Sequence, residues 1–204
     1  MKLSEFFSQS VQQGSNAHNT MLFPDRIHFA CTKDDDMEWQ WNNKVRAERR
    51  HVTYMQTPIP KSMQYEFEIV IPDKWEFGGS DERINIAEWH SHTKGMNGPL
   101  AFYIVDDEFW IATRYPGRDN WDIVSERKIQ RGEPVKFEID VTWSPDTDGR
   151  LSISRNGQVI FTRKDHPTCF DDTAIPFFKI GLYMVDWGSE RIGRAYDLMS
   201  VDVK

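Results

Sequence analysis

The chain has 204 residues, 39% hydrophobic and 13% aromatic, which is ample for one large folded core and rules out a disordered chain. A formal net charge of −7 argues against nucleic acid as the main partner, because phosphate binding wants a basic surface, although a local basic pocket stays compatible with it. No stretch is apolar enough to span a membrane, and the opening "MKLSEFFSQSVQQGS" lacks the apolar run of a signal peptide, so the expected settings are the cytoplasm, a virus particle or release in mature form.

Taken in chain order, the pattern predicts one short helix within residues 3–13 and then strands. Cys31 and Cys169 are far apart and match no metal spacing; one bridge or two buried thiols both fit. "TKDDDMEW" (32–39) carries three consecutive aspartates that could hold a structural calcium ion, with a solvated loop as the plainer account. "VRAERRHVTYM" (45–55) puts Arg46, Glu48 and Arg50 on one strand face and His51 on the other. "YEFEIVI" (65–71) alternates Tyr65, Phe67, Ile69 and Ile71 against Glu66 and Glu68.

"INIAEWHSH" (84–92) has apolar residues suited to a sheet, yet Glu88 and His90 share a face, with His92 in the same phase. Two histidines without a third ligand at a recognisable spacing do not make a metal site. Trp89 and Trp110 are expected in the core by their phase. "HTKGMNGP" (92–99) reads as a loop whose glycines permit movement, and Arg114 and Tyr115 beside the turn "YPGRDN" are candidates for lining a sugar subsite.

"VKFEIDVTW" (135–143) alternates cleanly, and "LSISRNGQVIF" places Asn156-Gly157 between two short strands, a strong hairpin signal. In "FFKIGLYMVD" (177–186), Phe178, Ile180, Leu182 and Met184 form a core face, so Lys179, Gly181 and Tyr183 point outward. Many strands separated by turn clusters predict one antiparallel sandwich or jelly roll over residues 1–204, with an N-terminal extension at about 1–20.

Three of these segments together resemble the R-x-E-x-R, Q-x-H and Y-F-K-x-G-x-Y motifs of the jelly-roll polysaccharide lyases, the superfamily of alginate, glucuronan and heparin-lyase-like enzymes. Here they read "RAERR" (46–50), "EWH" (88–90) and "FFKIGLY" (177–183), in the family's order, and the similarity spans roughly residues 38–203. The resemblance implies an all-β, concanavalin-like jelly roll whose concave groove grips an acidic polysaccharide and cleaves it by β-elimination. With the charge and hydropathy given above, the expectation is a monomer that acts on its own, without nucleic acid or membrane, and without a cofactor apart from the structural calcium ion that 32–39 could hold. By analogy His90 is the base or charge neutraliser, Tyr183 the acid or both acid and base, and Arg46 and Arg50 hold a substrate carboxylate. Lys179 would bind the polyanion or pair with Glu48; His92, Arg114 and Tyr115 would line the groove.

The chain departs from the family at Glu88, where the family usually has glutamine. An ionised glutamate would repel a uronate. A protonated Glu88, a Glu88 paired with Arg46 or Arg50, or a substrate without a carboxylate at that point would each reconcile it. Two other readings use the same fold. A glycoside hydrolase would use Glu88 and Glu48 as its carboxylates, about 5–5.5 Å apart if retaining and about 6.5–9.5 Å if inverting. A carbohydrate-binding module would keep the aromatic cleft without turnover. More plainly still, Arg46, Glu48 and Arg50 could form an exposed ion-pair ladder.

Overall fold

Period-2 burial sets the strands. The computed structural model describes residues 2–8, 10–13, 20–31, 45–51, 57–73, 83–93, 98–105, 108–115, 122–184 and 194–204. Within them, a helix α1 (Leu3–Ser8) precedes β1 (Ser10–Gln13), β2 (Thr20–Leu22), β3 (Ile27–Cys31), β4 (Val45–His51), β5 (Lys61–Val70), β6 (Arg83–His90) and β7 (Leu100–Val105). Then follow β8 (Glu108–Thr113), β9 (Asp122–Lys128), β10 (Pro134–Trp143), β11 (Arg150–Arg155), β12 (Gln158–Lys164), β13 (Phe177–Met184) and β14 (Arg194–Val203).

Among the described residues these strands make two seven-stranded antiparallel sheets. The front sheet runs β1-β4-β13-β6-β7-β8-β9 and the back sheet β12-β11-β10-β5-β14-β3-β2. The front sheet thus gathers strands distant in the chain: β13 lies between β4 and β6. The core between the layers is strongly aromatic. Phe67, Phe102, Phe137 and Trp89 are all 0% exposed, with ring centroids 5.0–5.8 Å apart at Phe67–Phe102, Phe67–Phe137, Phe102–Phe137 and Trp89–Phe102. Each such ring stabilises the fold by about 1.5–3 kcal/mol relative to exposure.

The expected hairpin is present, with Asn156 and Gly157 both at positive φ between β11 and β12. The N-terminal helix is shorter than the pattern predicts. The Ser8 hydroxyl donates back to the Glu5 carbonyl, and from Ser10 the chain extends to pair with β4. A six-residue helix gains little by propagating, whereas β1 covers a sheet edge that would otherwise stay unpaired. Phe6, fully buried, anchors that helix near Phe178, and Arg49 lies over the Phe7 ring while donating to the Phe7 carbonyl. Burial pulls the Arg49 guanidinium below its usual pKa. Cys169 is a free buried thiol, its pKa pushed up to about 12 by burial and nearby aspartates. The acidic stretch 32–39 and residues 94–97 of the loop 92–99 lie outside the described residues.

Candidate active site

β6 breaks its own alternation, and the break builds the site. Ile84 and Ile86 face the core, as does Ala87 directly after them. The ladder to β7 slips at this point, pairing Asn85 with Tyr103 but Ala87 with Phe102. This is a β-bulge: one extra residue re-phases the strand. Beyond it Glu88 and His90 point away from the core while Trp89, 0% exposed, points in. Asn85, Glu88 and His90 therefore share the outer face despite their uneven spacing. The Tyr196 hydroxyl crosses from the back sheet and donates to the Ile86 carbonyl at 3.1 Å, fixing the bulge from beneath. β13 answers with its own irregularity between Ile180 and Tyr183, where Gly181 has φ 141°, a value that disfavours any side chain.

β13 carries the site's central row. Lys179 pairs in register with Arg50 of β4 and Glu88 of β6; Tyr183 pairs with Arg46 and Asn85; Phe177 pairs with His90; Gly181 pairs with Glu48. The side chains of Arg46, Glu48 and His51 lie outside the described residues. Arg50 has its guanidinium 5.5 Å from the Phe177 ring centre, and its Nε is buried without a hydrogen-bond partner.

The Glu88 carboxylate takes a different partner from those the sequence suggested. Lys179 Nζ sits 2.9 Å from Glu88 Oε2, with side-chain exposures of 5% and 8%. Burial pushes the Glu88 carboxyl up, but Lys179, His90 and the Gly98 backbone N–H together outweigh it, so its pKa lies below the ordinary value. Glu88 is thus an ionised, internally neutralised group, and Lys179 pairs with it. Gly98 comes that close because it has no side chain: a Cβ there would lie 1.8 Å from the Trp89 carbonyl oxygen.

His90 Nδ1 lies 2.8 Å from the Ser91 carbonyl, which can only accept, so Nδ1 carries a proton and Nε2 is the ring nitrogen left for other partners. Phe177 stacks on the imidazole at 5.1 Å and 19°. The turn after His90 is clamped by Asp172, which accepts from Ser91 Oγ at 2.7 Å, the His92 N–H at 3.1 Å and Thr93 Oγ1 at 2.5 Å. Replacing Asp172 with alanine is expected to destabilise the fold by about 1–3 kcal/mol for each donor left buried, chiefly at Ser91, which is 2% exposed. A thermal melt checks this.

Tyr183 is half-buried, and Lys179 Nζ lies 5.9 Å from its ring centre, so the ring leans along β13 toward the Lys179–Glu88 pair. Two residues that the sequence reading missed or misplaced join this face. Tyr103 pairs with Asn85, and its phenol is pushed above its usual pKa by burial and by nearby Glu88 and Tyr183, so it stays protonated at neutral pH. Trp110, expected in the core, is half-buried on the outer face. Its neighbours Phe109 and Ile111 take the core positions, and it pairs with Tyr103. The signal for Tyr103 was present in "LAFYIV", where Phe102 and Ile104 are core and the intervening tyrosine must face outward.

The remaining predicted residues have other neighbours. His92 directs Nε2 to the Ile175 carbonyl at 2.9 Å and sets its ring edge-on to Phe177. The Arg114 guanidinium lies 5.9 Å from the Phe170 ring centre, and Tyr115 packs edge-on to His166 at 4.2 Å.

A family model described as polysaccharide lyase matches residues 19–197. Comparison with curated proteins returns no match. Among solved structures, an endo-β-1,4-glucuronan lyase from the fungus Trichoderma reesei is similar with a TM-score of 0.67 at 16% identity, covering 96% of this chain and 87% of that one. An alginate lyase from Pseudomonas aeruginosa is similar with a TM-score of 0.65 at 16% identity, covering 93% and 87%. The alginate lyase AlyC3 gives a TM-score of 0.70 at 13% identity, covering 100% and 92%. At these identities the likeness is one of fold, a jelly-roll sandwich.

Proposed function

The chain belongs to the polysaccharide lyase family, and from that premise we propose that it cleaves an acidic, uronate-containing polysaccharide by β-elimination on the outer face of the front sheet. The observation that carries this reading is that His90 and Tyr183, 93 positions apart (183 − 90), stand on one face around a buried, self-neutralised ion pair.

Elimination requires a base for the C5 proton of the uronate, cations or donors for the carboxylate as charge spreads into it, and an acid for the departing glycosidic oxygen. His90, with Nδ1 committed to the Ser91 carbonyl, has Nε2 to offer as base or as neutraliser of the carboxylate charge. Tyr183 supplies the phenol proton to the leaving oxygen. Arg50, with Arg46 opposite Tyr183 in register, supplies the cationic side; a guanidinium can hold a carboxylate with two hydrogen bonds. Lys179 discharges Glu88, so the glutamate in place of the family's glutamine adds little net negative charge to repel substrate.

The hydrolase reading is the weaker one. A glycosidic general acid needs a raised carboxyl pKa, and Glu88 has a lowered one and is held by Lys179.

Incubation with glucuronan, alginate and related polyuronates is expected to generate ultraviolet absorbance from unsaturated ends. Reducing ends appearing without that absorbance would favour hydrolysis. Sugar binding with no new ends of either kind would favour a binding module.

A further inference from the structure

Beyond the residues that would perform the elimination, the front sheet carries a continuous cross-strand row. Tyr183 of β13 pairs with Asn85 of β6, Asn85 with Tyr103 of β7, and Tyr103 with Trp110 of β8. Directly paired residues in antiparallel strands share a face, so all four stand side by side on the side of the front sheet turned away from the core. Asn85 and Trp110 lie two strand spacings apart, roughly 10 Å at about 4.8 Å each, enough for a sugar ring lying across the strands.

Two polar atoms in this row are buried without a hydrogen-bond partner: the Asn85 side-chain oxygen and Trp110 Nε1. Asn85 is 2% exposed. Folded proteins seldom bury such groups unsatisfied, and where they do a bound group commonly completes them. One is an acceptor and the other a donor, with a neutral phenol between them. Sugar hydroxyls are donors and acceptors at once, and sugar rings present C–H faces suited to aromatic side chains.

We propose that Asn85, Tyr103 and Trp110 form a saccharide subsite adjoining Tyr183, which takes a neighbouring sugar of the polymer through its hydroxyls and ring face. This rests on the lyase reading, and it assigns to the row the recognition of sugar identity rather than of charge. A sugar hydroxyl donates to the Asn85 oxygen, another accepts from the Trp110 indole N–H, and the Tyr103 ring supports the face between them. The row is bordered by the Lys179–Glu88 pair, which is neutralised within itself, and by the Arg83 guanidinium 5.9 Å from the Tyr103 ring centre, while its own side chains offer hydrogen bonding and stacking.

Two variants remove the unpartnered atoms: Asn85→Leu, which keeps the side-chain shape and takes Oδ1 together with Nδ2, and Trp110→Phe, which keeps an aromatic ring and takes Nε1. On whichever polyuronate the wild type cleaves, each is expected to lower kcat/KM about tenfold, carried by KM, as loss of an interaction made equally in ground and transition states requires. Thermal melts should hold or rise, because an unsatisfied buried group is being removed. Calorimetry of oligouronate binding to Tyr183→Phe, with and without Asn85→Leu, should show the same tenfold loss. Wild-type turnover with KM unchanged within twofold in both variants overturns the subsite alone. So does a fall in kcat and melting temperature at constant KM, which marks a structural role. A wild type that cleaves no polyuronate overturns the lyase reading and this inference with it.

Discussion

Replacing Tyr183 with phenylalanine is expected to lower kcat by about 10²–10⁴-fold, the range that a positioned proton donor contributes, while the protein stays folded. The ring sits half-buried on the outer face, beside Lys179, and phenylalanine keeps that packing. Only the hydroxyl is lost, so the melting temperature should move little. The two readouts are the initial rate of ultraviolet absorbance on the cleaved polyuronate and a thermal melt on the same sample. A variant that retains more than a tenth of the wild-type rate would take Tyr183 out of the proton transfer. If the melt collapses as well, Tyr183→His, a donor of different shape, separates chemistry from packing: restored folding without activity leaves the assignment standing.

The second large effect is on stability. Lys179→Met should destabilise the fold by about 3–5 kcal/mol at neutral pH, because it leaves the Glu88 carboxylate buried without its ion-pair partner. The pH dependence has a defined sign. In the wild type the Glu88 pKa is lowered on folding, so the pair contributes stability above the unfolded carboxyl pKa and loses it as pH falls through the folded value. In Lys179→Met burial acts without its largest counterweight and the Glu88 pKa moves up. The variant is then least stable at neutral pH, and its deficit shrinks as acid protonates Glu88. Adding Glu88→Gln should recover most of the loss, since no buried charge remains. Denaturant titrations of the two variants at neutral and acidic pH measure each part. An equal deficit at both pH values would mean that Glu88 is not the charged partner.

The strands themselves were legible in the sequence because their chemistry is local. β10 alternates so strictly that Val135, Phe137, Ile139, Val141 and Trp143 all become core, and Asn156-Gly157 turns where the dipeptide predicts. The outward placement of Lys179 and Tyr183 followed from the same rule on β13. Alternation failed at β6, and instructively. Strict period 2 puts Ile84, Ile86, Glu88 and His90 on one face, a combination no half-buried strand should hold. The bulge resolves it by sending the isoleucines inward and the acid and imidazole outward. Nothing within nine residues announces a bulge, because its support is the Tyr196 hydroxyl, which lies 110 residues further on. The same blindness hid Asn85, which simple parity assigns to the buried side. Glu88 is awkward in the sequence only while its partner is sought on β4; Lys179 stands directly across the other ladder. Pairing partners are a property of strand order, and strand order is not written in any one segment.

That phenol reaching up from the back sheet has a practical consequence. The two layers of the sandwich are not interchangeable slabs, since the aim of the histidine depends on an atom anchored in the opposite layer. Anyone transplanting the outer face of the front sheet onto another scaffold would have to carry Tyr196 along. A copy of that face alone would inherit every outward side chain, with nothing beneath to keep the imidazole turned outward.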